Sequence, residues 1–210
     1  TYTTMDNNKI VNPYNYTKVS TKVFVGREKE LETVKRVAEY AKNGIYYNLL
    51  VIGEEGIGKS AFMLKSKEIF EKYGLKTYYI SGNFLNGFLS CFGYDSIENY
   101  QQNMRDVKNE KLAFFCDNLD SSSRREIKFF SHFIEKTDLL FVFSGSNELC
   151  EILEEIGVIE LFKKIELPPL SPRETELLVK SLVKEFPIQF QKSAIDLILE
   201  ISDGNPRKIL

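Results

Sequence analysis

The stretch Gly53-Glu54-Glu55-Gly56-Ile57-Gly58-Lys59-Ser60 satisfies the spacing G-x-x-x-x-G-K-[ST]. Average Gly, Lys and Ser usage would produce it by accident in roughly 1 of 100 chains of this length, and its setting makes accident rarer still. An apolar run, Tyr47 to Ile52, precedes it, and a helical stretch, Ala61 to Lys72, follows it and stops at Gly74. A strand, a glycine loop and a helix in that order build a cradle for phosphate. The glycines let successive backbone N–H groups turn inward, and the helix N-terminus adds partial positive charge. Glu54, Glu55, Gly56, Ile57, Gly58, Lys59, Ser60 and Ala61 are therefore candidate nucleotide-binding residues. Lys59 reaches the outer phosphates, and the Ser60 hydroxyl is a candidate ligand for Mg²⁺.

Such a loop needs a second acidic anchor for the metal, at the end of another strand. Leu112-Ala113-Phe114-Phe115-Cys116-Asp117 fits: the apolar residues bury the strand and Asp117 emerges at its carboxyl end. In a doubly wound sheet that end faces the ligand crevice. Further strands are expected over Thr77–Ile80, Leu139–Phe143 and Ile165–Leu167. Helices are expected over Glu28–Lys42, Ile97–Glu110, Arg125–Lys136 behind an N-cap in Ser121-Ser122-Ser123, and Asn147–Glu155. Phe84 to Tyr94 is apolar but broken by glycine, and its state is not readable from pattern; its aromatics suit a core, with a partner surface as the alternative. After Pro168-Pro169 everything reads as helix, Pro172–Phe186 and Gln191–Ile201, closed by Asp203-Gly204. Strands alternating with helices predict a parallel sheet covered on both faces.

Composition removes several alternatives. With 43% hydrophobic residues, 16 Phe and 11 Tyr, the chain can bury a core and is not a disordered type. Lys+Arg 28 against Asp+Glu 30 leaves a net charge of -2, so no global field supports DNA or an anionic membrane as partner. A local basic patch, at Arg124-Arg125 or Lys163-Lys164, remains compatible with DNA. No apolar run approaches a bilayer span and the start is polar, so a cytoplasmic protein with no membrane partner is expected. Three cysteines without CxxC spacing (Cys91, Cys116, Cys150) read as small buried hydrophobes. The single histidine, His132, sits in an apolar helix and reads as a core or boundary residue. A histidine-based triad or metal cluster is excluded.

Together with the phosphate loop, two further boxes, Asn12-Pro13-Tyr14 and Phe24-Val25-Gly26-Arg27-Glu28-Lys29-Glu30-Leu31, resemble the AAA+/STAND class of P-loop ATPases, closest to archaeal and bacterial members. The resemblance runs from Asn12 to Leu210. It implies an α/β P-loop NTPase of ASCE/AAA+ type, with a parallel sheet of order 5-1-4-3-2 and a C-terminal all-helical lid. It divides the chain into an extended arm (1–20), an ATPase core (21–170) and a lid (171–210) that the chain leaves incomplete at its C-terminus. It places Val25 and Gly26 against the adenine ring. It also implies a sensor for water or the γ-phosphate after the fourth strand, where Ser144, Ser146 and Asn147 all remain candidates. Leu167 to Glu174 is similar to the opening of the family's lid, and Gly204-Asn205-Pro206 matches its Gly-x-Pro motif. Pro206 is thereby implied at the base and Arg207 at the phosphates.

Two departures from the family pattern bear on activity. The residue after the metal-site Asp is Asn118, where strong hydrolysers carry an acid. Asparagine can orient water but cannot accept its proton. Asp120 is the candidate substitute; otherwise hydrolysis is slow. Lys163-Lys164 stands where many relatives carry an arginine that completes a neighbour's site, and lysine lacks the bidentate fork. The expected function is an ATP·Mg²⁺-binding ATPase module, cycling between ATP and ADP and acting as a nucleotide-dependent switch. It has ATP as ligand, with self-association or a protein partner through the ATPase face left open. Alternatives are the ATPase domain of a DNA replication initiator or transposition regulator, and a non-hydrolysing nucleotide-binding scaffold.

Overall fold

Strand β1, Asn48–Ile52, is five consecutive buried residues, the pattern of a strand covered on both faces. β3 (Leu112–Asp117) and β4 (Leu140–Gly145) are likewise buried throughout. In the computed structural model, which describes residues 23–81, 84–94, 111–122, 124–136, 139–184 and 190–209, these strands join β2 (Lys76–Ser81) and β5 (Phe162–Glu166) in one parallel sheet of order β2-β3-β4-β1-β5. This is the expected 5-1-4-3-2 arrangement. The arm at 1–20, the Asn12-Pro13-Tyr14 box and the helix expected over 97–110 lie outside the described residues.

Alternation along the strands sorts side chains to the two faces. Leu49, Val51, Ala113, Phe115, Leu140, Val142 and Ile165 pack under helices α1 (Glu28–Lys42) and α2 (Lys59–Lys72). Leu50, Ile52, Phe114, Cys116, Phe141 and Phe143 face α3 (Phe84–Cys91), α4 (Arg124–Lys136) and α5 (Asn147–Ile156). The second face is aromatic: the Phe88 ring lies 5.0 Å from Phe114 and 5.3 Å from Phe130. Truncating one of these buried rings to Ala would cost about 3–5 kcal/mol. After Pro168-Pro169 come α6 (Pro172–Val183) and α7 (Lys192–Ser202), then a 3-10 turn, Pro206–Lys208. A capping box between Ser171 and Glu174 starts α6, and Asp203, in the left-handed region, ends α7.

Several local readings are resolved, some met and some corrected. The glycine-broken run is helical: a Cβ at Gly87 would lie 2.6 Å from Ile80 Cγ2, so the glycine lets α3 press on β2. Its aromatics are core, with Phe84 and Phe88 buried and Phe92 and Tyr94 packed against them. β5 begins at Phe162 rather than Ile165, because Asn48 pairs with Phe162 and the Phe162 ring packs 5.1 Å from Phe143. Lys163 and Lys164 interrupt the apolar pattern there; lysine is a common occupant of an edge strand. α2 starts at Lys59, two residues early. β4 runs on through Ser144 and Gly145, which pair with Val51 and Ile52. Before α4 the chain forms a 3-10 turn, Leu119–Ser121, and Ser123 is not among the described residues. Cys116 and Cys150 are buried as expected, but Cys91 is only half-buried. Arg124 is exposed and paired with Glu155. The surroundings of His132 lie outside the described side chains.

Candidate nucleotide-binding site

The loop between β1 and α2 turns on two glycines in the left-handed region, Gly56 (φ +81) and Gly58 (φ +99). Gly58 caps α2, so the first N–H groups of that helix, which have no partner within it, point into the loop. Apart from its chain neighbours, a Cβ built on Gly58 would meet only Pro206 Cγ, at 4.0 Å, so the turn that starts at Pro206 lies beside the glycine loop. Lys59 folds back on the loop, its ammonium donating to the carbonyls of Gly53 at 2.7 Å and Glu54 at 2.9 Å. Partial burial pulls the Lys59 pKa down, against the opposing fields of Asp120, Asp117 and Glu55.

Asp117 ends β3, buried at 5% exposure, and both its oxygens accept hydrogen bonds. Ser144 Oγ on β4 donates to Oδ1 at 2.5 Å, and the Tyr79 hydroxyl on β2 donates to Oδ2 at 2.7 Å. Burial, and next the Asp117 charge, raise the Tyr79 pKa far above that of a free phenol, so it stays a donor. Ser144 Oγ also accepts from the Asn118 N–H at 2.9 Å. Asn118 itself, exposed, has φ +62. Asp120, on the following turn, accepts from Ser146 N–H at 2.8 Å and Ser146 Oγ at 2.9 Å. It therefore helps cap α5 alongside Ser146, the N-cap residue. Of the three sensor candidates, Ser144 touches Asp117 and Ser146 touches Asp120. Asn147 stands exposed at the first position of α5.

The C-terminal turn sits on the phosphate loop. Asn205 Nδ2 donates to Glu55 O at 2.9 Å, Arg207 N–H donates to Gly56 O at 3.2 Å, and the Arg207 guanidinium pairs with the Glu55 carboxylate. On the other flank Gly26 (φ +72) and Arg27 (φ +72) lead into α1. A side chain on Gly26 would collide with the Glu174 carboxylate. Arg27, 7% exposed as a residue, donates from its guanidinium to Ile57 O of the loop at 3.3 Å, and burial lowers its pKa while Glu30 and Glu174 oppose the shift. Val25 is half-buried just before this junction. Tyr79 carried no signal in the sequence; Arg27, Glu174 and Asn205 lie in the boxes quoted above, but their contacts join elements distant in the chain and no local pattern showed them.

The donors present fit Mg²⁺ but do not form a cage for it. Ser60 and Asp117 offer hard oxygens, and no cluster of three His, Cys, Asp or Glu able to hold a metal occurs among the described residues. Mg²⁺ bound through one or two protein groups plus substrate phosphates and water needs no such cluster.

A five-stranded parallel sheet of this order, with a glycine loop between its first strand and the next helix, is the fold of AAA+ P-loop ATPases. The chain is similar to the Thermotoga maritima RuvB Holliday junction branch migration motor (TM-score 0.65, 16% identity, 90% of this chain and 63% of that one). It is also similar to AMPPCP-bound DnaA from Aquifex aeolicus (0.64, 20%, 91% and 62%), and to the Aeropyrum pernix Orc1 protein in complex with DNA (0.69, 16%, 93% and 59%). Among curated sequences, an uncharacterized HTH-type transcriptional regulator of Methanocaldococcus jannaschii is 24% identical over 91% of this chain and 62% of its own length. No protein-family model matches. The chain thus spans 62% of that curated relative's length. No helix among the described residues is long and apolar enough to cross a membrane.

Proposed function

We propose that this chain is an ATP·Mg²⁺-binding module of AAA+/STAND type, acting as a nucleotide-dependent switch with slow hydrolysis. The observation that carries the reading is the pairing of the Gly53–Ser60 loop, capping α2, with Asp117 buried at the carboxyl end of β3. Backbone N–H groups from Gly56 to Ala61 and the Lys59 ammonium would bind the phosphates once Lys59 leaves the carbonyls it now contacts. Ser60 and Asp117 would hold Mg²⁺, which when bound neutralises phosphate charge. Val25 and Gly26 would wall the base, with Pro206 on its other side. Ser144, Ser146 or Asn147 would meet the γ-phosphate or the water. Asn118 can orient that water without taking its proton, and Asp120 is already engaged by Ser146, so slow turnover is the expected state.

In this reading the chain divides into a core over 21–170 and a lid over 171–210, behind an arm at 1–20. Nucleotide titration by calorimetry, with Mg²⁺ and then with EDTA, tests it. Binding of ATP that Mg²⁺ tightens is expected, and no binding in either buffer removes the reading. A second reading, the nucleotide domain of a DNA-binding initiator or regulator, is favoured by the likeness to DnaA, Orc1 and the HTH-type regulator. ATP turnover that rises on adding duplex DNA would select it.

A further inference from the structure

In the β2–β3 ladder Tyr79 lies opposite Phe115, two residues before Asp117, so Tyr79 and Asp117 project from one face of the sheet. The Tyr79 ring packs in the cluster under α2, and its hydroxyl reaches along β3 to Asp117 Oδ2 at 2.7 Å. From the other neighbouring strand, Ser144 reaches Oδ1 at 2.5 Å. The carboxylate is held by one hydroxyl from each flanking strand. Each of its oxygens has two lone pairs, so both keep one for a further partner. A phenylalanine would fill the same space, so the hydroxyl's contribution is to orient the carboxylate.

We propose that Tyr79 is a positioning residue: with Ser144 it fixes the plane of the Asp117 carboxylate so that its remaining lone pairs serve the divalent metal of a bound nucleotide. The proposal rests on the reading of the loop and Asp117 as a metal–nucleotide site. Tyr79 itself touches neither metal nor phosphate. Its loss costs metal affinity and leaves metal-free nucleotide affinity alone.

The test uses Mn²⁺ and AMPPCP with the purified chain. Mn²⁺ affinity in the presence of AMPPCP is read by electron paramagnetic resonance, and AMPPCP affinity in EDTA by calorimetry. Tyr79→Phe should weaken Mn²⁺ binding about tenfold, since losing an outer partner of a metal ligand typically costs 10–100-fold. Its AMPPCP affinity in EDTA should match wild type. Ser144→Ala should move the same quantity, and the double variant should lose less than the product of the two, because both act on one carboxylate. Wild-type Mn²⁺ affinity in Tyr79→Phe overturns the proposal, as does an equal loss in EDTA or a variant that fails to fold. If wild type binds AMPPCP with no help from Mn²⁺, the metal-site reading itself falls and takes the proposal with it.

Discussion

The side-chain amide of Asn205 donates to the carbonyl of Glu55 at 2.9 Å, joining the last turn of the chain to the phosphate loop across 150 residues. The backbone of Arg207 adds a bond to Gly56 O, and its guanidinium pairs with Glu55. Gly56 must be glycine twice over: its φ is +81, and a Cβ there would come within 2.6 Å of Arg207 Cβ. Direct contacts therefore tie the turn after α7 to the phosphate loop. The Glu55–Arg207 pair is exposed at 87% and 58%, so it opens at little cost. A switch requires contacts that differ between two states, and this junction supplies groups that can exchange partners.

Replacing the loop lysine tests the phosphate site most directly. Lys59→Ala should abolish most ATP affinity by calorimetry. Ligand at about 100 times Kd should stabilise wild type by roughly 2.7 kcal/mol and the variant by nearly nothing. Equal thermal shifts in both proteins would remove Lys59 from the site.

Turnover should be limited by the absence of a base. Asn118→Glu is expected to raise kcat, within the roughly 10²–10⁴-fold range of general base catalysis. Asp120→Ala should instead lower stability by about 1 kcal/mol, because Asp120 bonds the N–H and hydroxyl of Ser146 at the start of α5. Loss of turnover in Asp120→Ala without loss of stability would make Asp120 the base.

Arg207 should distinguish the two nucleotides. Arg207→Ala should weaken ATP binding more than ADP binding, and Glu55→Gln, which releases Arg207 from its present partner, should strengthen ATP binding selectively. Equal losses for both nucleotides would reduce Arg207 to a general phosphate contact. No loss for either would take it out of the site.

Acid should loosen the junction between α6 and the start of α1. Hydrogen bonds from Ser171, followed by the Arg27 charge and N–H, hold the Glu174 pKa below the ordinary glutamate value. A depressed folded-state pKa means stabilisation present above the unfolded value, about 4.3, and lost as pH falls through the folded one. The melting temperature of wild type should exceed that of Glu174→Gln at pH 7. The gap should narrow below about pH 4.3 and close at lower pH. A gap independent of pH would mean that the glutamate's charge contributes nothing.

The chain's own order determines the phosphate loop, the buried strand that delivers Asp117 and the break at Pro168-Pro169. These are local: glycine spacing, an unbroken apolar run and a proline pair act within a few residues of one another. The limits of legibility were also local. Lys163-Lys164 masked most of β5 because an edge strand tolerates lysines, and Gly87 masked α3 because its reason is the closeness of Ile80. What only tertiary structure decided is which groups meet. Tyr79 and Ser144 grip Asp117 because β2 and β4 flank β3 in a particular register, and Asn205 reaches Glu55 because the turn after α7 sits against the phosphate loop. Strand register and docking depend on the summed burial of both faces of the sheet, and no single stretch of sequence carries that sum.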